Sequence, residues 1–313
     1  MSKGKKSFIE KYVKIIVVFA VIAGSSSGIF GSAIQAPSMA IGFWRLTLGM
    51  PFFAIPALMN NREEMKTISK KSYMWAFISG FFLFAHFYTW FNAVKFTDIA
   101  SASTLAALHP LIVLVVTVFI FRRKVSIRAV MGIMLALLGG AMVAGFDYKA
   151  ISPDDLKGDI LAFLAAMFMG LYFTIGNEVR KEVSGSTYVF LVFFGCWFCF
   201  AVGMITAGTD FFGYSTRDYI LIVGLTLVCQ IGAHAVFNLC LGHVDSLYVS
   251  TWESGEAVMA ILQGVIFLGQ TPTQIEIIGC AVVVTGLLFY NYNLAKFEKE
   301  TAAAEAALHM DEN

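Results

Sequence analysis

Charged side chains are scarce in this sequence. Asp, Glu, Lys and Arg together supply 14% of the 313 residues, whereas 58% are hydrophobic; soluble domains use roughly 25% charged residues. The mean hydropathy is +0.75, and the net charge of +1 gives no reason to expect a nucleic-acid partner. These features exclude an ordinary soluble domain. They predict an all-α integral membrane protein in a lipid bilayer.

Metal-binding and catalytic motifs are also missing. All five cysteines fall inside apolar stretches, and Cys196-x-x-Cys199 has no second pair, so packing explains this spacing better than a metal or redox site. The sequence has no His-Glu-x-x-His, no Gly-x-Ser-Gly and no pair of membrane aspartates. We therefore expect no metal, no cofactor and no enzymatic activity.

Ten apolar segments account for most of the chain, each near the length of about 20 residues that a helix needs to cross a bilayer. They run over residues 14–33, 38–59, 73–94, 99–121, 127–146, 158–177, 188–208, 219–241, 247–268 and 275–292. The lysine-rich start followed by an apolar run resembles a signal peptide. Because apolar spans continue to the end of the chain, we expect a retained first helix instead.

Basic residues are distributed unevenly between the two sides of these spans. With the N-terminus inside, seventeen lie on the inner side and four on the outer side, which predicts cytoplasmic termini in the cell (inner) membrane. The predicted organisation is a cytoplasmic segment 1–13, a five-helix repeat 14–146, an extracytoplasmic linker 147–157, a second five-helix repeat 158–292 and a cytoplasmic tail 293–313.

The two five-span units resemble each other. A shift of 147 positions lays Gly132 on Gly279 and Gly139 on Gly286. Because five is an odd number, the second unit must enter the membrane from the opposite side. This predicts inverted repeats with a site between them near the midplane.

Ionisable residues lie within these spans, where a charge costs roughly 2.5–3.5 kcal/mol. Glu253 and Glu256 are three residues apart and share a helix face. The repeat shift lays His109 on Glu256, and it brings His86 to within one position of His234. We expect these groups to line a central cavity as substrate contacts or proton carriers. The structural alternatives are a neutral buried carboxyl and interhelical histidine hydrogen bonds.

Arg45 and three tryptophans complete the set of candidate binding residues. Arg45 follows Trp44 in the second span. It could snorkel to the outer interface or bridge to a carboxylate of substrate or protein. Trp90 and Trp252 stand beside the polar groups of their spans, and with Trp44 they are the aromatic residues expected to contact a ligand.

Together these features resemble the EamA-type branch of the drug/metabolite transporter superfamily over roughly residues 17–292. The resemblance is carried by Phe43-Trp44-Arg45, by residues 91–102 followed by His109-Pro110, and by Ser254-Gly255-Glu256-Ala257 followed by Phe267-Leu268-Gly269-Gln270. Arg122-Arg123 stands where the first half of the family usually has Gly-Glu, and Ala257 replaces a proline. The resemblance implies ten transmembrane helices arranged as two inverted five-helix repeats.

The resemblance also implies a secondary transporter that exports or exchanges a small metabolite, often an amino acid or amphipathic solute. A central cavity with aromatic walls and a few polar groups is compatible with such cargo. Alternating access would move the halves about it, and a carboxyl that exchanges protons would link transport to the proton gradient. The expected partners are the solute and protons, in a monomer or homodimer.

Three alternatives remain at this point. A nucleotide-sugar or other phosphorylated metabolite would favour several basic groups in the cavity, and Arg45 is the one expected to be available there. The alternatives of another class are a non-transporting membrane scaffold and an intramembrane enzyme.

Overall fold

The computed structural model describes residues 8–97, 99–143, 152–256, 258–259, 262–263, 266 and 273–311. The described residues contain helices and no β-strand, as predicted. The helices are α1 Phe8–Gly24, α2 Ser27–Ala33, α3 Ser38–Asn60, α4 Arg62–Thr67, α5 Lys70–Phe96, α6 Ile99–Ala106, α7 His109–Val115, α8 Ile127–Val143, α9 Pro153–Val179, α10 Gly185–Ala207, α11 Thr216–Leu225, α12 Val236–Cys240, α13 Ser246–Glu253 and α14 Gln274–Asp311. Two π-helical stretches, Val116–Ile120 and Thr226–Ala235, follow α7 and α11.

Seven helical segments of the described chain are long and apolar enough to cross a membrane. They run over Tyr12–Ala33, Ser38–Asn60, Lys70–Phe96, Pro153–Val179, Gly185–Ala207, Thr216–Cys240 and Ile277–Leu294. Two shorter apolar helical segments are His109–Ile120 and Ile127–Met142. Large apolar side chains face outward, among them Phe19 at 68% and Phe119 at 75% exposure. Lipid chains would solvate this surface, whereas water would not.

The fourth predicted span is broken in its middle, next to Pro110. α6 ends at Ala106 and α7 begins at His109, because Pro110 has no N–H to donate to the Ala106 carbonyl. His109 Nδ1 lies 2.9 Å from the Ala106 oxygen, and Ser254 Oγ donates to the Ala107 oxygen at 3.3 Å. Side chains therefore satisfy the carbonyls that the break exposes.

The ninth predicted span breaks at the corresponding position. α13 ends at Glu253, a turn follows at Ser254 and Gly255, and helical geometry resumes at Glu256. Adding 147 to the first and last residue numbers of α6 gives those of α13. The two halves thus break after equivalent residues, although Ala257 stands where a proline would be expected.

α8 and α14 approach each other closely at glycines. A Cβ added to Gly139 would lie 2.5 Å from Val283 N and 2.7 Å from the Gly279 oxygen, and one added to Gly286 would lie 2.8 Å from the Gly132 oxygen. Gly139 of α8 meets Gly279 near the start of α14, whereas the earlier residue Gly132 meets the later residue Gly286. The two helices are therefore antiparallel. Gly279 is the shifted equivalent of Gly132, and Gly286 is the shifted equivalent of Gly139.

α9 begins earlier than the predicted boundary at residue 158. Ser152 Oγ accepts a hydrogen bond from Asp155 N at 3.1 Å, and the Asp155 carboxylate accepts one from Ser152 N at 3.1 Å. This capping box starts the helix at Pro153. Residues 153–157 therefore belong to the helix and Ser152 caps it, whereas residues 147–151 of the expected linker lie outside the described residues.

α14 continues through most of the predicted cytoplasmic tail. It ends at Asp311, whereas the sequence placed the end of the last span at residue 292. The alanine-rich stretch 302–307 accounts for the extension, because alanine has the highest helix propensity.

Arg122 has an unusual backbone conformation just after the π-helical stretch Val116–Ile120. Its φ of 52° makes it the one non-glycine residue with a positive φ among the described residues. A left-handed conformation costs a non-glycine residue about 1–2 kcal/mol. The family that the sequence resembles usually has glycine at this position, and glycine would avoid that cost.

Candidate functional site

A cavity lies where the two broken helices meet. Its volume is about 60 Å³, room for about four to six water molecules. Seven of the nine residues singled out from the sequence line it: Arg45, His86, Trp90, His109, His234, Glu253 and Glu256. Both halves of the chain therefore contribute ionisable groups to one small space.

A close contact between an imidazole and a carboxyl joins the two halves in this cavity. His109 Nε2 lies 2.9 Å from Glu253 Oε2, and the two side chains are 5% and 7% exposed. His109 Nε2 is also 3.0 Å from the Ser250 oxygen, and Nδ1 faces the Ala106 oxygen. Because both ring nitrogens face oxygen atoms, a doubly protonated imidazole can donate on both sides to these acceptors. Transfer of one proton from His109 to Glu253 would leave both side chains neutral. The proton can therefore reside on either the imidazole or the carboxyl.

Glu256 lies one turn beyond Glu253 and reaches toward α1. A Cβ added to Gly24 would collide with Glu256 Oε1 and would lie 3.4 Å from Ala233 Cβ. Gly24 therefore leaves the room that the Glu256 carboxyl occupies. A solute or proton entering the cavity meets two carboxyls, those of Glu253 and Glu256.

Arg45 is fully buried, with 0% exposure, so it does not snorkel to the interface. Its Nε donates to Gln230 Oε1 at 2.5 Å, and its Cζ lies 4.0 Å from the centroid of the Phe87 ring. Its Nη1 and Nη2 atoms have no hydrogen-bond partner among the described residues. The guanidinium is thus held on one edge and open on the other.

His86, His234 and Trp90 surround the same part of the cavity. The His86 and His234 ring centroids are 6.2 Å apart, and His86 Nδ1 lies 2.9 Å from the Ala165 oxygen. His234 Nδ1 and Trp90 Nε1 are buried without a hydrogen-bond partner in the described part of the chain. The predicted meeting of histidines from the two halves is therefore present in the structure.

Trp44 and Trp252 lie outside this cavity, which corrects the expected position of both. Trp44 Nε1 donates to the Phe211 oxygen at 2.7 Å, and Trp252 lines a separate apolar cavity of about 90 Å³. Consecutive helix residues point about 100° apart. When Arg45 and Glu253 face the cavity, the tryptophans beside them in the sequence face elsewhere.

Gln230, which holds the cavity residue Arg45, was missed in the sequence. It is fully buried, it accepts from Arg45, and its Nε2 has no partner among the described residues. It lies in the π-helical stretch Thr226–Ala235, a geometry often found at functional sites. A signal was available, because an amide four residues before His234 interrupts an apolar span.

Further ion pairs join the halves on the predicted cytoplasmic side. Arg123 Nη2 lies 2.5 Å from Glu178 Oε1, and Nη1 lies 3.4 Å from Asp245 Oδ2. Arg123 belongs to the first half of the chain, and the two acids belong to the second half. These contacts hold the halves together away from the central cavity.

A hydrogen-bond network fixes α4 to the start of α10. Glu64 accepts from Ser184 N at 2.6 Å, from Ser184 Oγ at 2.5 Å and from Thr187 Oγ1 at 2.6 Å. Burial alone would raise the pKa of Glu64, but these hydrogen bonds and the positive charge of Arg180 outweigh it and lower that pKa. Glu64 is therefore stabilised as a carboxylate.

Known proteins match this chain over most of its length. The model of the EamA-like transporter family matches residues 12–145 and 156–292. The uncharacterized transporter YxxF of Bacillus subtilis (strain 168) is 24% identical over 288 residues, which cover 91% of this chain and 90% of that protein. A solved crystal structure shares the fold with a TM-score of 0.74 and 16% identity, covering 92% of this chain and 99% of the other.

The helices and the matches define a multi-pass membrane transporter, a class of protein distinct from enzymes. The two matched stretches correspond to the two halves that meet at the cavity. The chain belongs to the EamA-like transporter family, and the resemblance seen in the sequence is confirmed.

Proposed function

We propose that this transporter exports or exchanges a small metabolite across the cell (inner) membrane by alternating access to the central cavity. An amino acid or another small amphipathic solute suits a space that combines a guanidinium and two carboxyls with aromatic rings. The cavity holds about 60 Å³. A solute of more than a few heavy atoms therefore needs the halves to move apart.

The proposed architecture is ten spans in two inverted five-helix repeats, with both termini cytoplasmic. The reciprocal glycine contacts between α8 and α14 support it, because equivalent helices run antiparallel there. The matched breaks after Ala106 and Glu253 also support it. In transporters with inverted repeats, one set of helices moves against the other about a site near the midplane.

The buried contact between His109 and Glu253 is the observation that carries the proposed mechanism. It links the two halves inside the cavity, where the attraction between opposite charges is stronger than in water. A proton that neutralises Glu253, or one lost from His109, removes that attraction and lets the halves separate. Glu256, one turn away, is placed to take up the proton or a cationic group of the solute.

The test uses proteoliposomes that enclose a pH-sensitive dye, with amino acids, amines and organic acids added one at a time. A transported solute should change the internal pH, and an imposed pH gradient should drive its flux. Glu256→Gln and His109→Gln should abolish the flux or uncouple it from protons. Glu63→Gln is the matched control, because this glutamate is exposed on α4 and pairs with Lys66.

Size-exclusion chromatography and thermal unfolding establish that each variant is folded before its flux is compared. Wild-type flux in Glu256→Gln would remove this residue from the mechanism. Solute flux that ignores an imposed pH gradient would contradict proton coupling and favour a uniporter or an exchanger.

A phosphorylated cargo is the weaker candidate. Such a solute brings two or more negative charges, and Arg45 is the one Lys or Arg among the described residues that line the cavity. Faster flux of a sugar phosphate than of any amino acid or organic acid in the same vesicles would favour this candidate.

A further inference from the structure

Buried hydrogen-bond donors without partners in the described part of the chain belong to Arg45 and Trp90, which line the central cavity, and to Gln230, which contacts Arg45. Nη1 and Nη2 of Arg45, Nε2 of Gln230 and Nε1 of Trp90 are all buried, and none has an acceptor among the described residues. Buried polar groups are normally paired, and each one left unpaired is destabilising. Four such donors in one place indicate that an acceptor belongs there.

These donors share one position in the fold. The Arg45 guanidinium lies over the Phe87 ring and is bonded to Gln230. Trp90 follows Phe87 by three residues on α5, and so lies on the same helix face. The His234 ring packs edge-on against Phe87, with centroids 4.8 Å apart. Its unpaired Nδ1 adds a fifth nitrogen, which donates when it carries the ring proton.

The charge of Arg45 is also unbalanced. The described residues include no carboxylate within ion-pair distance of it, since the salt bridges near the cavity and on the cytoplasmic side use His109 and Arg123. An uncompensated buried charge destabilises a protein strongly. The Phe87 face and the Gln230 oxygen hold the guanidinium in place without neutralising it.

From this geometry we infer that the end of the cavity around Arg45 binds the carboxylate group of the solute. A carboxylate presents two oxygens that match the two free guanidinium nitrogens side by side, and Trp90 can donate a third hydrogen bond. Its single negative charge balances the single positive charge of Arg45, whereas a phosphate monoester would bring nearly two. The inference deepens the proposed function, because it names the chemical class of the cargo.

The binding test needs no transport assay. Thermal unfolding of the purified protein in detergent is measured with acetate, 3-methylbutanoate and 3-phenylpropanoate, each against its neutral amide, at concentrations up to about 10 mM, because a ligand bound to the folded state raises the melting temperature. 3-Methylbutylamine and phenyl phosphate complete the set. We expect at least one carboxylate to raise the melting temperature while its amide does not.

Substitutions locate the effect. Arg45→Met keeps the length of the side chain without its charge; it should abolish the carboxylate-dependent rise and leave the melting temperature of the free protein unchanged or higher. Arg45→Lys keeps the charge but loses the two adjacent guanidinium nitrogens. Its apparent affinity for the carboxylate should therefore fall at least about tenfold. Trp90→Phe should weaken binding less. Trp44→Phe is the matched control, since Trp44 lies outside the cavity and should leave binding unchanged.

Several outcomes would overturn the inference. One is that none of the three carboxylates raises the melting temperature, or that each acid and its amide raise it equally. Another is a larger increase with phenyl phosphate than with any carboxylate. A third is wild-type carboxylate binding by Arg45→Met. A large loss of stability in Arg45→Met, together with retained carboxylate binding in Trp90→Phe and Arg45→Lys, would assign Arg45 a structural role instead.

Failure of this inference differs from failure of the proposed function. If a carboxylate binds at Arg45 but proteoliposomes show no flux of it, the binding site stands and transport of that solute fails. If amines are transported with coupled protons and no carboxylate binds, the transport mechanism stands and the assignment of Arg45 fails.

Discussion

The contact between His109 and Glu253 should contribute measurably to folding as well as to transport. The perturbation is a double-mutant cycle of His109→Gln, Glu253→Gln and the two changes combined. Each side chain is less than a tenth exposed, and the two atoms are 2.9 Å apart. A close interaction with a charged group contributes about 1.5–3 kcal/mol, so each single change should lower the free energy of unfolding by about 2 kcal/mol.

The free energy of unfolding of the combined variant should fall by less than the sum of the decreases in the two single variants. Once one partner is replaced, the other has already lost the contact, so we expect a coupling free energy of about 1–2 kcal/mol. Reversible unfolding by SDS in mixed micelles, followed by tryptophan fluorescence, measures all four proteins. The exposed pair of Lys66 and Glu63, 2.7 Å apart, is the control and should couple by less than about 1 kcal/mol. Additive losses at His109 and Glu253, within about 0.5 kcal/mol, would refute a direct interaction.

Three further predictions concern packing, pH and backbone strain. Gly139→Ala should destabilise by about 1–3 kcal/mol because its Cβ would meet backbone atoms of α14. Gly140→Ala, whose Cβ would enter open space among the described residues, should be neutral or stabilising; equal effects in SDS unfolding would contradict this packing. Glu64→Gln should lower the melting temperature at pH 7, and its difference from wild type should disappear as pH falls below about 4.5 and through the lowered pKa of the folded state. A difference that persists at low pH, or the same trend in Glu63→Gln, would contradict that assignment. Arg122→Gly should be more stable than Arg122→Ala by about 1 kcal/mol, and the reverse order would show that the positive φ is not strained.

Seven of the ten apolar spans and the family could be predicted from the sequence because both depend on local patterns. Runs of apolar residues define spans without knowledge of their neighbours. The break at Pro110 also has a local cause, since proline lacks the N–H that continues a helix. The break after Glu253 has no proline, and its position follows only from comparison with the first half.

Contacts across the fold could not be predicted in the same way. Arg45 and Gln230 are 185 positions apart, and their contact depends on how α3 sits against a π-helical stretch whose wider turn shifts the register of side chains. The expectation that Trp44 and Trp252 line the cavity was wrong for a related reason. Trp44 and Trp252 are next to cavity residues in the sequence, but on a helix a neighbour in sequence points in another direction.

The helix breaks of the two halves fall at equivalent positions, and the ionisable side chains next to them differ. His109 and Glu256 occupy equivalent positions after the two helix breaks, yet His109 pairs with Glu253 instead. The pairing leaves the Glu256 carboxyl beside Gly24. Because one half contributes an imidazole and the other two carboxyls, separating the halves changes the partners available to each group, and therefore its affinity for a proton. Under the alternating access that we propose, that change would couple the opening of the cavity to the movement of a proton.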